Sequence, residues 1–197
     1  MINTRKAMEN LFVSRVRIKL MQHFLSNQDI PIHLRAAVRE MKEEINAVRR
    51  ELNRLEEIKI LKSETRGNRK YYMLNKQGPF VDELTGIVYK TFGLGGDVIR
   101  NQQKLGDVSF AILSDSYMTG VVSVEHHVDL TLIGDVNMKE LQSMILETEK
   151  REDREINYTV LKLSDFETRK KRRDGFVMDL LLGKKLMLIG SYEELIS

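Results

Sequence analysis

"INAVRRELNRLEEIKILKSETRGNRKYYMLN", residues 45–75, changes its period halfway along. In the first half, Ile45, Val48, Leu52 and Leu55 recur at spacings of three, four and three. That stripe belongs to an amphipathic helix with one face on a core. Asn46 stands where an N-cap is expected. In the second half, two apolar runs, Ile58–Leu61 and Tyr71–Leu74, flank a polar tip at Gly67 and Asn68. Both tip residues tolerate positive φ, so the two runs are expected to pair as a hairpin.

Working upstream, Leu11, Val16, Ile18, Leu20, Met21, Phe24 and Leu25 give a mainly helical pattern, and "IHLRAAVREM", Ile32–Met41, predicts a second helix behind Pro31. Downstream, Pro79 opens a fourth helix with Phe80, Leu84, Ile87 and Val88 on its inner side. Three helices and a hairpin, in that order, make a winged helix-turn-helix, whose third helix lies in the major groove of DNA. The outer face of that helix presents Asn46, Arg49, Arg50, Asn53 and Arg54. Arginine bonds guanine O6 and N7 together, and asparagine bonds adenine N6 and N7. The hairpin tip adds Arg66, Asn68, Arg69 and Lys70, a set suited to phosphate or minor-groove contact. The plainer alternative is a solvated face whose arginines pair with Glu51, Glu56 and Glu57.

The bulk numbers agree with a DNA-reading first half. The 197 residues are 42% hydrophobic and 31% charged, enough for packed cores. Residues 1–92 hold 18 Lys and Arg against 11 Asp and Glu, a net +7, while residues 93–197 hold 14 against 18, a net −4. A basic half suits a polyanionic partner. The absence of cysteine excludes disulfides and thiolate metal sites. Neither a signal-peptide core nor a bilayer-length apolar run is visible, so a soluble, cytoplasmic chain without a membrane partner is expected.

Glycines cluster in "TFGLGGDVIRNQQKLGD", residues 91–107. The expected division is a DNA-binding domain over 1–92, a glycine-containing linker or helix start over 93–104, and a second domain over 105–197. In the second domain "VSFAIL", "VDLTLI", "INYTVLKL" and "KLMLI" read as strands, and "NMKELQSMILETEK" and "SDFETRKK" as helices. Asn137 with Glu140, and Ser164 with Glu167, have capping-box spacing. The expected fold class is α+β: a winged helix followed by a small α/β domain with a mixed sheet.

With "SRVRIKLMQHFLSN", "AVRREL" and "LKSETRGNRKYY" in view, the first half resembles the ArsR-type winged-helix regulators. It is most similar to a branch in which that module precedes a nucleotidyltransferase-like domain of the polymerase-beta superfamily. The resemblance implies double-stranded DNA as partner and a homodimer on two half-sites. In the second half the family pattern is Gly-Ser on a turn after the first strand, a later glycine, Asp-x-Asp on the next strand, and a third carboxylate beyond. In "LSDSYMTGVVSVEHHVDL", residues 113–130, Asp115 stands for the family glycine, while Ser116 and Gly120 match the serine and second glycine. His127 replaces the first aspartate, Asp129 matches the second, and Asn157 falls at the third carboxylate. Magnesium favours oxygen over imidazole, and an aspartate on the phosphate turn repels a triphosphate. The implied function is therefore a DNA-binding transcriptional regulator with a degenerate transferase-like domain used for dimerisation, sensing or partner binding. It would need no cofactor, and a nucleotide or small-molecule effector fits the second domain. The rival is an active, magnesium-dependent nucleotidyltransferase, of toxin–antitoxin or similar type, carrying a DNA-binding domain. His126 and His127 alternate in facing, so a new metal site on "EHHVD" lacks a third ligand nearby. "RKKRRD", Arg169 to Asp174, is a further candidate basic contact or a solvated helix end.

Overall fold

The computed structural model describes residues 3–120 and 128–197. The fold is α+β and divides at Thr91–Phe92 into two compact units. Among the described residues, no helix is long and apolar enough to cross a membrane.

In the first unit, α1 (Thr4–Phe12) and α2 (Arg15–Ser26) lead into β1 (Ile32–His33), α3 (Leu34–Met41) and α4 (Ile45–Glu57). Then come β2 (Leu61–Arg66), β3 (Arg69–Leu74) and α5 (Val81–Thr91). The three strands pair antiparallel in the order β1-β3-β2. A hairpin forms with Arg66 opposite Arg69 and Gly67 at φ +60° in the tip, but its first strand starts only at Leu61: Ile58, expected in that strand, ends α4 and is 50% exposed. Val48, Leu52 and Leu55 of α4 are buried against α2 and α3. Full burial of each such side chain contributes about 1.5–3 kcal/mol.

Several local expectations for this unit change. The helical pattern from Leu11 to Leu25 is split at Val13–Ser14 into α1 and α2, and Leu11 is exposed. Glu44, not Asn46, caps α4: its carboxylate accepts from Asn46 N and Ala47 N, each at 2.8 Å. These two backbone donors hold the Glu44 carboxyl below its usual range. Starting at Ile45 leaves that side chain 37% exposed, outside the apolar stripe. Ile32 and His33 are not the start of a helix but a short strand on β3, and His33 then caps α3. Phe80 is 57% exposed because α5 begins after it, at Val81. Between α1 and α2, Ser14 N donates to Phe12 O across Val13, whose φ is +56°. This is a tight γ-turn in a conformation unfavourable to a β-branched residue.

In the second unit, α6 (Gly93–Arg100) precedes β4 (Gly106–Ser114), α7 (Asp115–Thr119) and β5 (Leu130–Val136). Next are α8 (Met138–Glu152), β6 (Tyr158–Leu161), α9 (Leu163–Lys171), α10 (Gly175–Leu182), β7 (Lys185–Ile189) and α11 (Tyr192–Ile196). The sheet is mixed, in the order β6-β5-β4-β7, with only β5 and β6 parallel. Phe110, Ile112 and Ile133 on one face pack with Phe166, Val177, Leu181 and Leu195 from α9, α10 and α11. The glycine cluster is helical: Gly95 and Gly96 are buried in α6, which Asp97 ties to α8 through Arg151 and Thr148. Asn137 caps α8 as its spacing suggested, accepting from Glu140 N. Ser164 does not cap α9, which starts earlier, after Lys162. "RKKRRD" runs from the last turn of α9 to Asp174, which caps α10.

Candidate functional site

Two sites were singled out by sequence, and they differ in how their charges are arranged. The first is a groove of about 890 Å³ between the start of α3, one side of α4 and the β2–β3 hairpin. From the sequence-predicted set it takes Arg49, Asn53, Arg66, Asn68, Arg69 and Lys70. His33, Arg35, Tyr71 and Tyr72, which sequence reasoning passed over, complete its polar and aromatic lining. Among the described residues the lining holds five Lys and Arg side chains and no Asp or Glu.

The helical turn decides which α4 residues reach the groove. Each residue rotates by about 100°, so Arg49 and Arg54 leave the centre of the outer face in opposite directions. Arg49 turns toward the hairpin and donates to Asn46 Oδ1 at 3.2 Å. Arg54 turns the other way and donates to Glu51 Oε1 at 2.9 Å; Glu51 Oε2 accepts from Arg17 of α2 at 2.8 Å. Burial raises the Glu51 pKa, but its bonds to Arg17 and Arg54 outweigh that and hold the carboxyl below its usual range. Arg54 thus pairs within α4 with the carboxylate that ties α4 to α2, and it is not part of the groove. Asn46 and Arg50 are exposed on the face between the two arginines. Asn53 lines the groove, but its Oδ1 accepts from the Tyr72 hydroxyl at 3.2 Å. A bidentate grip on adenine needs that oxygen as well as the amide nitrogen, so the bonded Asn53 is set only to donate.

The hairpin cations are partly committed. Lys70 Nζ donates to Glu56 Oε2 at 2.6 Å and lies 4.9 Å from the Tyr72 ring centre. Its bond to Glu56 raises its pKa above the lysine range. Arg66 pairs with Glu64 and lies over the Tyr71 ring at 5.5 Å. Arg69, at the tip beside Gly67 and Asn68, is exposed. Period-2 alternation along β3 was the available signal for the tyrosines: Tyr72 is the more buried, yet its hydroxyl reaches Asn53, and both rings line the groove.

The second site lies where β4 meets α7 and β5 begins. Ser114 Oγ accepts from Tyr117 N at 3.2 Å and sits 2.9 Å from Ser116 Oγ. Asp115 lies in the first turn of α7, with Lys184 Nζ at 4.0 Å. Gly120 ends α7 in the left-handed region at φ +73°. Asp129 is 1% exposed, and both its oxygens are engaged: Oδ1 accepts from Arg154 Nη2 at 3.0 Å and Oδ2 from Asn157 N at 2.9 Å. The Asn157 carbonyl returns two bonds, from Asp129 N at 2.7 Å and Leu130 N at 3.2 Å. Arg154 also lies 4.2 Å from the Tyr117 ring centre and donates to Tyr117 O. The Tyr117 hydroxyl donates to Glu152 Oε2 at 2.5 Å. His127 lies outside the described residues.

A magnesium ion does not fit the described part of this site. The one matched ligand, Asp129, is buried against a guanidinium that already supplies the positive charge. Among the described residues no three His, Cys, Asp or Glu side chains converge as a metal group. Nearby, a cavity of about 190 Å³ is lined by Ser114, Ser116, Thr131, Phe176, Lys184 and Lys185, among others. Sequence reasoning singled out Asn157 within "REINYTVL" but missed Arg154, which opens that run; only the fold brings it to Asp129.

No family model and no curated protein matches the chain. Among solved structures, it is similar to human N-acetylserotonin methyltransferase in complex with SAM, at 13% identity and a TM-score of 0.29. The match covers 88% of this chain and 44% of that one, so the chain spans less than half of its length. A likeness of this size carries no argument about fold or activity.

Proposed function

We propose that the protein is a DNA-binding transcriptional regulator acting in the cytoplasm. In this reading the first unit is an ArsR-type winged helix, with α3 and α4 as its helix-turn-helix and β2–β3 as the wing. It binds double-stranded DNA as a homodimer. The second unit is a nucleotidyltransferase-like domain without catalysis, kept for dimerisation, sensing or partner binding. The single observation that carries the reading is the groove between α4 and the hairpin, with five cations and no carboxylate in its lining. A polyanion is the partner that such a lining favours, and one wall is a helix able to enter a major groove.

The second site supports the non-catalytic half of the reading. With Asp129 buried and bonded to Arg154, the one described residue that matches a family metal ligand is not open to a metal. The neighbouring cavity, at about 190 Å³, falls below the roughly 300–1,000 Å³ usual for drug-sized ligands, so a small effector suits it better than a nucleotide.

Salt-dependent binding tests the reading. Replacing Arg66, Arg69 and Lys70 together with Gln is expected to weaken binding to specific and random duplexes alike. For every phosphate that the hairpin no longer neutralises, the log–log salt slope should fall by about one. An unchanged slope, measured by fluorescence anisotropy, would remove the hairpin from the DNA interface. Radiolabel transfer from ATP that disappears in Asp129→Ala would establish the enzymatic alternative instead.

A further inference from the structure

We propose that His33 is a contact residue of the groove, donating from Nε2 as a neutral imidazole to a phosphate oxygen of bound DNA. The inference rests on the DNA-binding reading and goes beyond it by adding an uncharged donor, outside the sequence-predicted set, beside the five cations of the groove.

Three observations fix the ring. His33 stands opposite Tyr71 in the β1–β3 register. Its ring meets the Tyr71 ring edge to face, with centroids 5.4 Å apart at 85°. Its Nδ1 accepts from Ala36 N at 3.2 Å as the cap of α3. An accepting Nδ1 carries no proton, so in the capped ring the proton resides on Nε2. Nε2 is directed away from the cap, and the residue lines the groove. A second proton, placed on Nδ1, would oppose the Ala36 N–H and break the cap. The fold therefore presents His33 as a neutral donor.

The partner follows from position. In a helix-turn-helix the first helix crosses the sugar–phosphate backbone while the second reads bases. His33 stands at the start of α3, the first of the two, with Arg35 in the same lining. Arg35 and Arg69 attract the strand, and His33 supplies a positioned hydrogen bond. Because the ring is uncharged, its bond displaces no counterion, whereas a Lys or Arg bond does.

The experiment compares His33→Asn with Arg69→Gln on a short random-sequence duplex and on duplexes selected from a random pool. Asparagine is a favoured N-cap, so α3 keeps its cap while the Nε2 donor is removed. The expected result for His33→Asn is a drop of about fivefold in affinity on both duplexes with an unchanged salt slope and an unchanged thermal midpoint. Arg69→Gln should lower the slope by about one. If Arg69→Gln weakens binding and His33→Asn does not, His33 does not touch DNA, and the DNA reading stands without it. If neither variant weakens binding, the DNA reading itself fails. A slope that falls in His33→Asn makes the ring a cation and overturns the proposal. Should His33→Asn unfold, nitrogen-15 spectra of the wild-type ring decide: a neutral Nε2–H tautomer whose proton shifts on adding duplex supports the proposal. A doubly protonated or unperturbed ring overturns it.

Discussion

Along the α4–hairpin groove, Arg35, Arg49 and Arg69 are exposed, and the acidic partners of Arg66 and Lys70 lie outside the lining. At Asp129 the order is reversed: the carboxylate is buried and a chain-borne arginine, Arg154, closes over it. Both places drew attention in the sequence through residues whose type suits chemistry. What separates them is where the opposite charge comes from. A surface that leaves compensation to solvent is available to a partner, whereas a buried charge neutralised internally is spent on structure. The same contrast runs within α4, between Arg49 on the groove side and Arg54 tied to Glu51.

The comparison is most exposed to Arg154. Replacing Arg154 with Met would leave Asp129 buried without its guanidinium, and stability should fall by about 3–5 kcal/mol. Urea unfolding of the variant measures it; a fall below about 1 kcal/mol would mean that Asp129 does not depend on internal compensation. Next is Arg49→Ala, which should weaken specific binding by about 1–3 kcal/mol if the side chain meets a base edge. Equal weakening on specific and random DNA would instead place Arg49 on a phosphate. Arg54→Ala should do the opposite of Arg49→Ala: it should leave affinity within about 0.5 kcal/mol and cost about 1 kcal/mol of stability through Glu51. Weakened DNA binding with intact stability in that variant would erase the contrast across α4.

The smallest effect is in acid. Because the Glu51 carboxyl is held below its usual range, its contribution is complete at neutral pH and fades as pH falls through the lowered value. Glu51→Gln should therefore be less stable than wild type near neutral pH, by no more than about 1 kcal/mol, and the difference should shrink in strong acid. Thermal melts across that range check it; a gap that widens on acidification has the wrong sign.

Much of the backbone was legible because short-range periodicity encodes it. The hairpin ends, the α4 stripe at Val48, Leu52 and Leu55, and strands β4 and β5 all announce themselves by alternation or helical spacing. Elements lacking such a signal were missed. Helix α10, "GFVMDLLL", is nearly all apolar and has no polar face to reveal a period. Helices α7 and α11 span only about a turn each. Side-chain partnerships were less legible still, since they join distant residues. Arg154 finds Asp129 across 25 positions, Arg17 finds Glu51 across 34, and His33 meets Tyr71 through strand pairing. The pairing of Arg54 with Glu51, three residues away on the same helix, was by contrast legible as the plainer alternative for this face.

The γ-turn at Val13 has a consequence for time as well as shape. A β-branched residue at φ +56°, itself 86% exposed, holds that conformation at a cost of about 1–3 kcal/mol. Helix α1, which it joins to α2, anchors itself with a single fully buried side chain, Met8. An element with a strained tether and one deep anchor opens at low free energy, so its amides should exchange with solvent well before those of α2 or α4. The first turns of the chain thus keep a faster clock than the core beneath them, and a Val13→Gly chain, relieved of the strain, should run that clock more slowly.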